Sequence, residues 1–142
     1  MTGRDWVWVR GKAPVIMPKG EKQETMEICE KFIALSIAPH VVRPFNSRIK
    51  RQQCVGISLK PHKNFLRFAL RIKDTRDDVT ESEYEILFAR IEYRAPDRFL
   101  CSYRADNGEW VDFTFGQPES LPACLKLIVE QPHFLVMEMF GS

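Results

Sequence analysis

The sequence predicts an α+β domain: a five-stranded antiparallel meander with an N-terminal and a C-terminal helix packed on one face. Three observations predict it. Residues 88–115, FARIEYRAPDRFLCSYRADNGEWVDFTF, read as three strands joined by two tight turns. Residues 52–73 alternate apolar and polar side chains on either side of a turn, and two segments of helical period flank the strands.

The turns decide which side chains share a face, because a slip of one residue sends a strand's whole apolar set to the other side. With residues 94–98 as a loop, Tyr93 lies opposite Phe99, Ile91 opposite Cys101 and Ala89 opposite Tyr103. A two-residue Asn107-Gly108 turn would set Asp112 against Tyr103. A three-residue loop closed by Gly108 in the left-handed conformation instead pairs Tyr103 with Val111, Cys101 with Phe113 and Phe99 with Phe115. The second register keeps one apolar face through all three strands. It puts Phe88, Arg104 and Trp110 in a row on the opposite face, with Ile86 and Leu100 nearby and Arg104 sandwiched between two rings.

In chain order, residues 1–20 form an extended arm whose segment DWVWV projects Trp6 and Trp8 to one side. The arm is expected to lie over Phe88 and Trp110. Residues 21–142 form a single α+β domain, since 142 residues with 44% hydrophobic content bury a sizeable core. Residues 21–38 are helical, with Ile28, Phe32 and Leu35 on one stripe and Met26, Cys29, Ile33 and Ile37 beside it. Pro39 stops that helix. In the hairpin, a four-residue loop at 61–64 sets Leu59 opposite Leu66, Ile57 opposite Phe68 and Val55 opposite Leu70, with Cys54 on the other face. Ser120 caps a last helix through 131 that buries Leu121, Cys124, Leu125 and Ile128.

Charge is segregated along the chain. Residues 31–73 contain ten bases and no acid, whereas residues 74–142 contain fourteen acids and six bases, beneath a net charge of +2. Two outcomes fit. Neighbouring strands pair the two sets internally, Arg71 or Lys73 meeting Glu83 or Glu85, or Arg48, Lys50, Arg51, Lys60, Lys63, Arg67, Arg71 and Lys73 form a nucleic-acid-binding surface that neutralises phosphates. In the second case Phe65, beside Lys60, stacks a base.

No run specifies a reaction, a cofactor or a metal. Cys29, Cys54, Cys101 and Cys124 are scattered without a Cys-x-x-Cys pair and read as reduced core residues of a cytoplasmic protein. No span of about 18 apolar residues is present, so no membrane crossing is expected. Cys54 and His62 share a hairpin, but Cys54 lies six residues before the turn's end of its strand, about 20 Å away at ~3.3 Å per residue. His133 reads as a capping residue, and Glu83 with Glu85 as ordinary strand carboxylates. Phosphate-binding glycine loops and nucleophile elbows are absent.

The run from Phe88 to Trp110, a helix containing CLKLI and the QPHF that follows resemble a family of small uncharacterised bacterial proteins. The resemblance rests on Ala89, Arg90, Tyr93, Tyr103, Gly108 and Trp110 and covers roughly the C-terminal half. It implies no assigned activity and no catalytic residue. The expectation is a small non-catalytic domain acting by protein–protein interaction or self-association as a homodimer, with Trp6, Trp8, Phe88, Arg104 and Trp110 as its surface. The alternative is a nucleic-acid-binding module.

Overall fold

A computed structural model describes residues 16–39, 42, 46, 52–74 and 83–131. The chain enters helix α1 (Lys19–Phe32) two residues before the expected start. Pro18 is held extended at the N-cap, and its carbonyl accepts from Lys22 N at 2.8 Å. Glu21 in the first turn and Lys31 in the last suit the helix dipole.

The buried stripe of α1 differs from the expected one. Thr25, Cys29, Ile33 and Ile37 are buried, while Ile28 is 46% and Leu35 77% exposed. These four positions repeat every fourth residue, which in an α-helix drifts by roughly 40° per step. The helix compensates by widening into one π turn at Ile33–Ile37. A π turn has more residues per revolution, so it swings Ile37 back over Cys29 and Ile33.

The sheet runs in the order β1 (Gln52–His62), β2 (Phe65–Asp74), β3 (Glu83–Ala95), β4 (Arg98–Arg104) and β5 (Trp110–Asp112), every neighbour antiparallel. Helix α2 (Leu121–Glu130) follows. The Ser120 hydroxyl accepts from Ala123 N at its first turn, and Leu121, Cys124, Leu125 and Ile128 are buried as its period predicts. Both helices lie on one face of the sheet. Cys29, Ile33, Ile37, Leu121, Leu125 and Ile128 join Leu66, Phe68, Leu70, Ile72, Ile91 and Phe99 in a single core.

The β3–β4 register is the expected one, with Tyr93 opposite Phe99, Ile91 opposite Cys101 and Ala89 opposite Tyr103. Gly108 takes φ +85° and closes the next turn, and Tyr103 pairs with Val111. Beyond Asp112 the ladder ends sooner than expected. Phe113 N still donates to Cys101 O at 2.7 Å, but Thr114 turns inward, its hydroxyl accepting from Cys101 N. Phe115 adopts φ +54° and stands 84% exposed, so Phe99 bridges to Glu119 instead.

The hairpin turn is tighter than predicted. His62 pairs with Phe65 around Lys63 at φ +54°, which moves the register by two residues to Leu59 opposite Phe68 and Ile57 opposite Leu70. A shift of two preserves the faces. A bulge between Cys54 and Gly56 then reverses them, so that Cys54 turns into the core and Val55 faces out, 38% exposed.

A second irregularity matters more for function. The partners of β2 step from Phe68 opposite Ala89 to Ala69 opposite Leu87, leaving Phe88 unpaired. Phe88 is 2% exposed and its ring lies 6.4 Å from that of Phe68. It therefore does not face outward with Arg104 and Trp110. Burying a phenyl ring is worth roughly 2–3 kcal/mol, against about 1 kcal/mol for one lost ladder hydrogen bond. The bulge is the favourable exchange, and small Ala89 leaves space for the ring. Residues before the bulge change sides, so Ile86 packs against the core rather than on the outer face.

Candidate functional site

The face of the sheet away from the helices carries a row that crosses all five strands: Lys60 opposite Arg67, Arg67 opposite Arg90, Arg90 opposite Ser102 and Ser102 opposite Asp112. Arg104, opposite Trp110, adjoins it. Two like charges directly opposite on neighbouring strands destabilise a sheet, yet Arg67 and Arg90 occupy such a pair.

Aromatic rings hold Arg90 and Arg104. The Arg90 guanidinium lies 4.4 Å from the Phe65 ring centroid and 4.7 Å from that of Trp110, and the Arg104 guanidinium lies 5.0 Å from Trp110. Arg90, not Arg104, is the arginine between two rings, and its second ring is Phe65 in place of the inward-turned Phe88. Such stacking fixes a planar guanidinium while leaving its edge donors free. Arg67 Nε is buried and has no hydrogen-bond partner. Among the described residues no carboxylate forms an ion pair with Arg67, Arg90 or Arg104.

Burial lowers the pKa of Arg90 from its ordinary value. Glu92 opposes that shift, and the positive charges of Arg104 and Arg67 add to it. A cleft of about 360 Å³ opens beside Arg104, lined also by Glu85, Leu87, Asp106 and Gly108.

The hairpin's cations are distributed differently. Lys60 Nζ contacts Glu85 at 2.5 Å, and this hydrogen bond is the main cause that lowers the Glu85 carboxyl below its ordinary value. Arg71 reaches Glu83 at 4.0 Å and lies over Gly56, where an added Cβ would meet its guanidinium at 3.3 Å. Internal pairing of the basic and acidic strands is thus present at these two positions. Lys63 is exposed in the turn, and Lys73 lies in register with Glu83. Of the expected surface residues, Trp6, Trp8, Arg48, Lys50 and Arg51 lie outside the described residues, as does His133.

His62 is exposed at the far end of β1 from buried Cys54, so the two do not meet. Among the described residues no group of three or more His, Cys, Asp or Glu is placed to hold a metal ion. No helix there is long and apolar enough to cross a membrane. Sequence reasoning missed Arg90 as a site residue. The available signal was alternation itself: with Ala89 and Ile91 inward, Arg90 must share the outer face with Arg104.

The chain belongs to the family described as Domain of unknown function (DUF3024), whose model matches residues 17–137. That span takes in α1 and the β1–β2 hairpin as well as the meander and α2. No curated protein and no solved structure matches the chain.

Proposed function

We propose that the chain, as a member of that family, is a binding module without a reaction of its own, whose outer sheet face engages an acidic segment of a partner protein. One observation carries this reading. Arg67, Arg90 and Arg104 are gathered on one face, the last two against Phe65 and Trp110, with no ion-pair partner among the described residues. Folding alone does not ask for that arrangement, since opposed like charges oppose it. Arginine and tryptophan are also the side chains that contribute most at protein interfaces.

The reading retains Arg104 and Trp110 from the sequence expectation and exchanges Phe88 for Arg90. A symmetric dimer through this face would bring two cation clusters together, so an acidic partner fits better than a second copy. A nucleic-acid surface on the hairpin is less well supported, because Lys60 and Arg71 are engaged by Glu85 and Glu83. A reducing, cytosolic setting belongs to the same proposal and is supported by four buried free thiols.

Calorimetric titration with a short Glu-rich peptide tests it. Binding should weaken as salt is raised and fall by at least about tenfold in the Arg90→Gln, Arg104→Gln double variant. Equal binding by the double variant, or tighter binding of single-stranded RNA than of the peptide, contradicts it.

A further inference from the structure

The three guanidinium groups are more than one carboxylate requires. Arg67 and Arg90 stand directly opposite on β2 and β3, and Arg90 and Arg104 both lie within 5.0 Å of the Trp110 ring centroid. The charges of Arg67 and Arg104 each disfavour the charged form of Arg90, while that of Glu92 favours it. A carboxylate brings a single negative charge and two acceptor oxygens. A phosphomonoester brings nearly two charges and three acceptor oxygens, which suits several planar forks at once.

The orphaned donor points the same way. Arg67 Nε is shielded from solvent and has no acceptor, although leaving a buried donor unpaired is unfavourable. Beside the cluster, Ser102 is buried opposite Arg90. Lys60 and Asp112 close the two ends of the row, and Lys60 is already engaged by Glu85. The face thus has its free cationic capacity at the centre, where Arg67, Arg90 and Arg104 lie.

The geometry points to a phosphoryl seat formed by Arg67, Arg90 and Arg104, so that the partner segment this face recognises carries a phosphorylated side chain. The inference rests on the reading that the face binds an acidic protein segment, and it adds the group that anchors that segment. Phe65 and Trp110 act as positioning residues, because they hold the Arg90 and Arg104 guanidinium planes.

Two Glu-rich peptides of identical sequence, one with a single phosphoserine, test it on the full chain. The arginine Nε–Hε resonances are the readout. The phosphopeptide should move the Arg67, Arg90 and Arg104 signals and bind at least about tenfold more tightly than its unphosphorylated twin. Arg67→Gln should abolish that difference, and Arg67→Lys, which keeps the charge but loses the fork, should restore only part of it. Inorganic phosphate should move the same signals only at far higher concentration. Equal affinity for the two peptides would overturn the phosphoryl seat while leaving the acidic-segment reading in place. Failure of both peptides to bind would remove both. Inorganic phosphate binding as tightly as the phosphopeptide, or single-stranded RNA binding more tightly, would also overturn the inference.

Discussion

Phe88 and Arg90 are two residues apart, so strict alternation assigns both to the outer face, and the bulge on β3 sends only Phe88 inward. Phe88 lies in the core against Phe68, and Arg90 takes the outer position between Phe65 and Trp110. Phe88→Ala should therefore destabilise the fold by about 3–4 kcal/mol, read from chemical denaturation. A surface phenylalanine would cost less than about 0.5 kcal/mol. Arg67 should behave oppositely. Because Arg67→Thr relieves a like-charge opposition, it should leave stability unchanged or raise it by up to about 0.5 kcal/mol. A clear loss in the same denaturation experiment would mean that Arg67 serves the fold rather than a ligand.

Helix α1 and strand β3 show where the sequence was legible and where it was not. The meander could be read because its turns carry residue-specific signals: Gly108 has the left-handed backbone that a bulged hairpin requires, and apolar pairs on β3 and β4 tolerate only one register. The last helix could be read because Ser120 caps it and its period is unbroken. The bulges at Val55 and Phe88 have no such local signal. They follow from what lies across the strand, a core that accepts Cys54 and the Phe88 ring, and that information is non-local. The π turn at Ile33–Ile37 is hidden for the same reason, because it answers to packing against α2 and the sheet. Its consequence is measurable: Ile37→Ala should cost about 2–4 kcal/mol, while Leu35→Ser should stay within about 0.5 kcal/mol. Comparable losses at the two positions would mean that the helix continues as a plain α-helix with the originally expected stripe.

Across the molecule, chemistry is divided between the two faces of one sheet. The inner face, roofed by α1 and α2, takes up all four cysteines. Burial pushes the Cys29 thiol up to about 12 from an ordinary 9.0, and burial also raises Cys54. Cys101 is raised chiefly by its hydrogen bond with Cys124, then by burial. The sign follows from linkage. A thiol whose folded-state pKa is raised contributes stability fully present below its unfolded value, and this is lost as pH rises from about 9 towards 12. Native protein should therefore resist alkylation by iodoacetamide at pH 8, react at all four positions once unfolded, and lose stability above pH 9. The outer face holds instead the stacked arginines, and the segregated charge of the sequence is resolved there. Lys60 and Arg71 find carboxylates on β3, whereas Arg67, Arg90 and Arg104 find rings or each other. Only the first half of that outcome could be read from composition, because the second depends on the register that aligns Arg67 with Arg90. The measurement that bears most directly on the outer face as a binding site is a nuclear magnetic resonance titration of the full chain with the Glu-rich phosphopeptide. The predicted shifts centre on Phe65, Arg67, Arg90, Ser102, Arg104 and Trp110. Shifts centred on the helices would contradict the assignment of this face as the site.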